Sequence, residues 1–504
     1  MSDRINMVEP DRLAIILVFL AHVAFYPYFP SMRSANEWSR LYLVEAMTSD
    51  HDVATDRPVW QWGYIADLSR VALTSFSDKP PGTAFLALPF VAIRQWLDGG
   101  PDIAADLRVA RLVTGVIPTL ILLLLLRIEM ARLGVSPPTR AICILGYGLG
   151  SLGFTYSLLF YGHQLVAVLL YATWWVLRHR TLGPWEALLV GFLASLCLAT
   201  EYQSILYLAP LGVVFILRAR PVHLAFALAG AAPLLCALGL YHNAAFGGPL
   251  RTGYNYLVNE PFATYHRQGF MGLKFPTLKG FTENLFLPSK GLFVWSPHLA
   301  LGFMGLYKYK KVSGDRLEFV LRLTLIALPV LFVASMVYIG GWTVGQRHFT
   351  PMVPFLIAPL AVLVDQSRWA RVMAPALVLA SIMMTGTATV TFPHLPEWYG
   401  NPFHDLVVPL LQKGCVAAAW AQGTIGAATV AGLFGALVLL AIIAAVSLWP
   451  DRMRLKVVAV ILMALLPIAW YDLTSRVQRF PRDRALKELV WFENQCADKG
   501  GESQ

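Results

Sequence analysis

Long apolar runs without a charged side chain recur along this chain and alternate with short polar segments. They occupy residues 13–32, 141–177, 221–250, 323–346, 372–396 and 414–450. A helix needs about 20 mostly apolar residues to cross the hydrocarbon core of a bilayer. Together with shorter apolar stretches between them, these runs predict an all-α polytopic membrane protein with about 13 transmembrane helices.

The first run is similar to the core of a signal peptide but lacks a cleavage site. His22 stands where such a site would need a small residue. We therefore expect residues 13–32 to stay in the protein as its first helix. Residues 83–96 form a short apolar segment next to several prolines, and we expect an amphipathic helix along the outer membrane interface there.

Lysine and arginine cluster in alternate connections between the apolar runs. The clusters lie at residues 127–140, 178–180, 218–220, 308–316, 368–371 and 452–456. The positive-inside rule places these connections in the cytoplasm. The resulting topology has an inside N-terminus, a transmembrane domain over 1–471 with a first outer loop over 31–108, and a short basic outer tail over 472–504 that would contact membrane lipids.

Composition agrees with many membrane spans rather than one anchor. Hydrophobic residues make up 57% of the chain and charged residues 14%, against about 25% charged in an ordinary soluble domain. The net charge of +10 follows from the basic connections, so we expect no nucleic-acid partner. Of the five cysteines, Cys415 and Cys496 could meet in an oxidising compartment, whereas the other three lie inside apolar runs.

The first outer loop carries most of the candidate chemistry. It opens with Arg33, Glu37 and Arg40 directly after the first helix, and it closes with Asp78 and Lys79 followed by two prolines and a glycine. Cations can hold a lipid-linked phosphate at the membrane surface, and a carboxylate can take a proton from an attacking hydroxyl. The alternative for the first three residues is an ordinary solvated helical surface with i,i+3 and i,i+4 pairs.

A second constellation lies on a short outward connection between two apolar runs. Residues 340–346 are rich in glycine, which lets backbone approach a ligand closely, and Arg347 and His348 follow directly. A charged side chain at the membrane edge is costly unless it is paired or binds a ligand, so a phosphate contact is reasonable for Arg347. The alternative is that the Arg347 side chain extends to the membrane–water interface to keep its charge in water. Tyr254 lies in a tyrosine-rich segment that the topology places on the same face, where an interfacial role is the alternative. Motifs of soluble nucleotide-binding domains are absent.

With these residues in view, the chain resembles the GT-C superfamily of membrane glycosyltransferases, and within it the lipid A aminoarabinose transferase and protein O-mannosyltransferase-like branch. The resemblance covers the helical architecture and the long first outer loop. It implies that Glu37 is the catalytic base, although Asp78, Asp67 or Asp56 could share that role. The Lys79-Pro-Pro sequence matches a motif near the end of the family's loop, and Arg347 or His348 would contact the lipid phosphate.

The resemblance implies inverting transfer of a sugar from a polyprenyl-phosphate donor to a lipid, glycan or protein acceptor. It places the protein in the bacterial inner membrane with its active site facing the periplasm. The implied site is Glu37 and Asp78 for catalysis and, for substrate and phosphate binding, Arg33, Arg40, Lys79, Arg347, His348 and Tyr254. No cofactor is indicated beyond room for a divalent metal, whose ligands stay unknown. A lipid-linked oligosaccharide flippase or other transporter, and an O-antigen polymerase or ligase, remain the alternative functions.

Overall fold

A computed structural model describes residues 9–29, 34–178, 182–337, 340–416, 427–477 and 489–492. The chain is an all-α polytopic membrane protein with one small hairpin in the described part. Helical segments long and apolar enough to cross a membrane are Ile103–Arg132, Pro221–Phe246, Arg316–Ser335, Arg347–Gln366, Arg368–Thr391, Thr429–Ser447 and Met453–Ser475. Shorter apolar helical segments are Gly162–Leu177, Pro184–Thr200 and Tyr202–Arg218.

The N-terminal third holds the first helix and the folded first loop. Its elements are α1 (Pro10–Ala24), α2 (Ala35–Glu45), α3 (Asp56–Trp62), β1 (Leu68–Val71), β2 (Thr74–Ser77), α4 (Gly82–Asp98) and α5 (Ile103–Arg111). The predicted helix over residues 83–96 is therefore present as α4. Asp102 caps α5 by accepting bonds from the Ala104 and Ala105 amides, and α5 runs through a π-helical turn into the next helix. The bounds of the outer loop, 31–108, stay a prediction.

The helical bundle follows. Its elements are α6 (Ile117–Arg132), α7 (Pro137–Gly150), α8 (Leu152–Ser157), α9 (Gly162–Leu177), α10 (Pro184–Thr200), α11 (Ile205–Arg218), α12 (Pro221–Phe246), α13 (Glu260–His266), α14 (Leu278–Phe286), α15 (Leu292–Trp295), α16 (Leu299–Ser313), α17 (Arg316–Ser335), α18 (Val353–Gln366), α19 (Arg368–Ser381), α20 (Thr387–Thr391), α21 (Val408–Gln412), α22 (Ala427–Ser447) and α23 (Met453–Ser475). The uncharged run 141–177 is broken into three of these helices.

Helix α18 lies at the centre of the bundle. Residues Val353–Val364 are all buried, and the helix packs against α7, α16 and α19. A helix that is apolar around its whole circumference is typical of such a central position. The 3-10 turn Arg347–Met352 leads into α18, so the core of the bundle fixes the position of the basic pair that the sequence singled out.

Candidate active site

The hairpin in the first loop brings two distant charged residues together. Strands β1 and β2 are antiparallel, with Leu68 opposite Ser77. This register places Asp67, just before β1, opposite the residues that follow β2. The Lys79 Nζ atom lies 2.8 Å from an Asp67 carboxylate oxygen and 3.0 Å from an Asp78 oxygen.

Residues 80–82 then hold Lys79 against the helical bundle. The two prolines fix their own φ angles, and α4 begins at Gly82. A Cβ atom at Gly82 would lie 2.5 Å from the Ala199 carbonyl carbon, so only glycine permits this contact with the end of α10. The contact brings Lys79 next to the residue that follows α10, Glu201, which lines the same cavity.

Asp78 lies behind Lys79, away from the cavity. It is buried, and it accepts hydrogen bonds from Ser39 Oγ at 3.2 Å and from Lys79 Nζ at 3.0 Å. Burial raises the pKa of Asp78 to about 6, while the charge of Lys79 lowers that pKa in part. Asp78 therefore orients the lysine ammonium and is ionised at neutral pH.

Arg40 lies on α2 and points into the same region. Its guanidinium is 2.6 Å from Glu201 Oε1 and also donates to the backbone oxygen of Asn36 at 3.1 Å and to the Asn36 side chain. Because Arg40 is buried, these partners offset the cost of removing its charge from water. The pair links the first loop to the end of α10.

A buried lysine that the sequence did not mark out holds the glycine-rich loop. Lys290 Nζ donates to Gly341 O at 2.7 Å, Thr343 O at 2.9 Å and Thr343 Oγ1 at 2.8 Å. Gly341 and Gly345 have φ angles of 72° and 57°, which suit glycine. Burial lowers the pKa of Lys290 to about 7, so the loop is held by a cation that can lose its proton near neutrality.

This loop delivers Arg347 and His348. The Arg347 guanidinium lies over the ring of Tyr161, 5.8 Å from its centroid. His348 Nδ1 is 2.9 Å from Gln203 Nε2, and the His348 ring meets the His163 ring edge-on at 4.9 Å. Both residues line the cavity described next.

The cavity has two adjacent lobes. The first, here called the membrane lobe, measures about 390 Å³ and is lined in part by apolar residues of α11 and α17 and the segment after α17: Ile205, Leu206, Phe332 and Met336. The second, the loop lobe, measures about 500 Å³ and is lined mostly by residues of the connecting segments. Both volumes fall within the range of about 300–1,000 Å³ found for ligand sites. The residues common to both lobes are Asn36, Lys79, Phe262, Tyr265 and Arg347.

Five of the residues predicted from the sequence line the membrane lobe. They are Arg40, Lys79, Tyr254, Arg347 and His348. The ring of Tyr254 stacks on that of His266 at 4.8 Å, and burial raises the pKa of its hydroxyl. Arg33 lies outside the described residues.

Glu37, the predicted base, does not line either lobe. Its carboxylate forms a bidentate pair with Arg111, with Nε to Oε1 at 2.9 Å and Nη2 to Oε2 at 2.8 Å, and accepts a bond from the Phe160 amide. Only 1% of the Glu37 side chain is exposed. His394 lies between this pair and the loop lobe, with Nε2 3.8 Å from Glu37 Oε2. The catalytic role of Glu37 stays a prediction.

Asp67 differs from the other acids of the first loop because it faces the cavity. It lines the loop lobe, and 19% of its side chain is exposed. The sequence gives little signal for this hairpin, because residues 68–77 do not alternate between apolar and polar side chains. Within the described residues, no group of three or more His, Cys, Asp and Glu side chains is arranged to hold a metal ion.

Comparison with known proteins gives structural matches only. No family model matches the chain, and no curated protein matches its sequence. Among solved structures, the chain is similar to ArnT from Cupriavidus metallidurans bound to undecaprenyl phosphate, with 12% identity and a TM-score of 0.49 over 91% of this chain and 76% of ArnT.

Two archaeal structures are also similar. The oligosaccharyltransferase of Archaeoglobus fulgidus in its apo form matches with 11% identity and a TM-score of 0.45, over 77% of this chain and 56% of that one. AglB from the same organism, in complex with an inhibitory peptide and a dolichol-phosphate, matches with 11% identity and a TM-score of 0.39, over 98% of this chain and 61% of AglB. ArnT and AglB are members of the GT-C superfamily.

Proposed function

We propose that this protein is a GT-C type glycosyltransferase that moves a sugar from a polyprenyl-phosphate donor to an acceptor hydroxyl. The observation that carries the proposal is the membrane lobe, in which Lys79 and Arg347 share a cavity with apolar residues of membrane helices. A lipid phosphate needs both features, because its head is anionic and its chain is apolar. Charge-assisted contacts from lysine and arginine are the usual means of holding such a head.

The proposed reaction is an inverting displacement. The acceptor oxygen forms a bond to the anomeric carbon while the bond from that carbon to the phosphate oxygen breaks. Lys79 and Arg347 stabilise the negative charge that develops on the departing polyprenyl phosphate. The acceptor proton passes to a carboxylate, for which Asp67 has the better position because it faces the cavity whereas Glu37 is enclosed by Arg111.

Asp67 starts in an ion pair with Lys79, at 2.8 Å. When a donor phosphate takes up the lysine ammonium, that pair weakens and the Asp67 carboxylate can accept a proton. Donor binding and activation of the base are thus linked through one cation. Asp78 remains as the buried partner that keeps Lys79 in place.

We place this site on the periplasmic face of a bacterial inner membrane. The positive-inside rule assigns the basic connections to the cytoplasm, so the site is expected on the opposite face. Cys415 supports this placement because it is disulfide-bonded, and disulfides persist in oxidising compartments. Cys415 packs in one cluster with Trp295, Val344 and Leu395, next to the loop that carries Arg347. Cys496, which could meet Cys415 in such a compartment, lies outside the described residues.

Binding of undecaprenyl phosphate to the purified full chain in nanodiscs tests the proposal. A charge-assisted contact contributes about 1.5–3 kcal/mol, so Lys79→Ala should weaken binding by about tenfold to a hundredfold. Lys79→Arg should restore part of this loss, because it keeps the charge but changes the geometry. Lys279→Ala is the matched control, since Lys279 is an exposed lysine on α14 whose side chain is 81% accessible.

Transfer of radiolabelled sugar from a panel of polyprenyl-phosphate sugars completes the test. We expect label in a product, or in free sugar when water replaces the acceptor, and a loss of that label in Lys79→Ala. Unchanged binding in Lys79→Ala would show that this lysine does not hold the phosphate. Movement of intact donor across the bilayer without bond cleavage would favour a flippase.

A further inference from the structure

The loop lobe differs in character from the membrane lobe beside it. Its lining comes mostly from connecting segments, and it combines aromatic side chains with polar ones: Trp342, Trp491, Tyr265, Asp67, His394 and Glu397. A ligand there would lie in water above the bilayer, whereas the membrane lobe borders α11 and α17. The two lobes meet at Lys79 and Arg347, where the transferred sugar would be held.

Two polar atoms of this lobe are buried without a hydrogen-bond partner in the described part of the chain. They are Nδ1 of His394 and Oε2 of Glu397. His394 is only 3% exposed, and it lines the lobe. A buried polar atom without a partner costs free energy, which a ligand that supplies the missing bond removes. Burial lowers the pKa of His394 to about 4, so its neutral ring offers one donor and one acceptor.

The aromatic wall of the lobe is held rigidly. The ring of Trp342 meets that of Trp398 edge-on at 5.0 Å and that of Phe492 at 6.3 Å. The next residue, Thr343, donates from its amide to Leu395 O at 2.9 Å, which ties this segment to the one that carries His394. A fixed aromatic face beside groups that accept and donate single hydrogen bonds suits a sugar ring, with its apolar C–H face and its rim of hydroxyls.

We propose that the loop lobe binds a neutral carbohydrate acceptor, with a sugar ring against Trp342 and its hydroxyls on His394 and Glu397. This inference rests on the proposed glycosyl transfer and names the class of acceptor for it. When the donor phosphate engages Lys79 and Arg347, the carboxylates of Asp67 and Glu397 face the acceptor and disfavour an acidic sugar. Among the described residues that line the lobe, Arg347 alone belongs to a helical segment long and apolar enough to cross a membrane, so these residues offer no apolar wall for the chains of a lipid acceptor.

A peptide acceptor fits less well because the strand edges beside the lobe are occupied. Extended peptides commonly bind by adding a strand to an exposed sheet edge. Here the backbone of β1 already bonds to the segment after residue 255, through Arg70 N to Tyr256 O and Val258 N to Leu68 O. The edge of β2 receives a bond from the Thr55 amide.

An array of immobilised neutral oligosaccharides, probed with the labelled full chain in nanodiscs, tests this inference. A Ser/Thr-rich peptide and lipid A in vesicles serve as the competing acceptor classes. We expect retention on oligosaccharides, reduced at least about tenfold by Trp342→Ala and by Glu397→Gln. Glu397→Gln keeps the shape of the side chain, so it stays informative even where the tryptophan variant fails to fold. Trp60→Ala is the matched control, since Trp60 is 86% exposed and lines neither lobe.

Binding of undecaprenyl phosphate to the same variants separates this inference from the proposed function. Glu397→Gln, which changes a side chain outside the loop that carries Arg347, should bind it as the wild type does. Wild-type retention of both variants on the array, no retention of the wild type, or a preference for peptide or lipid A would each overturn the carbohydrate assignment. If the wild type does not bind undecaprenyl phosphate, that result would instead count against the glycosyltransferase proposal.

Discussion

Two isosteric substitutions in the first loop, Glu37→Gln and Asp67→Asn, should have opposite consequences. Glu37 is enclosed in a bidentate pair with Arg111, and the exposed fractions of their side chains are 1% and 4%. Asp67 lines the cavity with 19% of its side chain exposed. A buried pair contributes to stability, whereas a carboxylate at the cavity can take part in chemistry.

The expected magnitudes differ enough to separate the two roles. Removing one partner of a buried ion pair costs about 3–5 kcal/mol, because the other charge is left without compensation. Glu37→Gln should therefore lower the free energy of unfolding by several kcal/mol. A general base contributes about a hundredfold to ten-thousandfold to the rate, so Asp67→Asn should lose at least about a hundredfold in turnover. The stability of Asp67→Asn should fall less than that of Glu37→Gln, because Lys79 keeps Asp78 as a second carboxylate partner at 3.0 Å.

Thermal unfolding in nanodiscs and sugar release from the donor, normalised to folded protein, measure the two effects. The double variant Glu37→Gln/Arg111→Gln is the control: it should recover part of the lost stability, because it removes the uncompensated arginine charge. If Glu37→Gln unfolds like the wild type and loses a hundredfold in turnover while Asp67→Asn stays active, then Glu37 is the base and our reading of its pair with Arg111 is wrong.

Three further results are expected. Lys290→Met should weaken undecaprenyl phosphate binding by loosening the loop that carries Arg347, because the variant loses the bonds to Gly341 O, Thr343 O and Thr343 Oγ1. A Lys290→Met variant with wild-type affinity would contradict this. Burial and the neighbouring Asp106 raise the pKa of Glu45 to about 8, so the folded state holds this proton more tightly than the unfolded state does. The stability of the wild type should therefore fall as pH rises from about 4.5 to about 8, and Glu45→Gln should flatten that fall in thermal unfolding curves. A variant whose stability falls with pH as steeply as that of the wild type would contradict this role of Glu45. In a cysteine-free background, a membrane-impermeant thiol reagent should label Trp60→Cys but not Trp185→Cys in intact cells, and the reverse would invert the topology.

The helical architecture could be predicted from the sequence because the length and apolarity of a span are local properties. The apolar run 221–250, which contains α12, can be recognised in the sequence without any knowledge of the helices that pack against it. The ends of a helix are harder to predict from the sequence where an uncharged run contains a break. Residues 141–177 take part in three helices, and the first break falls at Ser151, which has an extended backbone and caps α8 through its hydroxyl. Apolarity alone does not report such a local capping interaction.

The cations of the candidate site could be singled out from the sequence, whereas the partners of its acids could not. Lys79, Arg347 and His348 stood out because charge beside a membrane span is unusual, and they line one lobe of the cavity. The partner of each acid depends on contacts across the fold. Glu37 meets an arginine 74 positions later, and Asp67 meets Lys79 only through the register of a hairpin.

The position of an acid relative to the membrane helix is therefore a weaker guide to its role than the identity of its partner. Glu37 follows the first helix as the resemblance requires, yet its oxygens are taken by Arg111 and the Phe160 amide. These three hydrogen bonds come from fixed donors, and they would have to break before the Glu37 carboxylate could turn toward a substrate. Asp67 forms an ion pair with one lysine, Lys79, to which a phosphate can also bind. Of the two, only Asp67 can change its partner during a reaction without unfolding the loop that holds it.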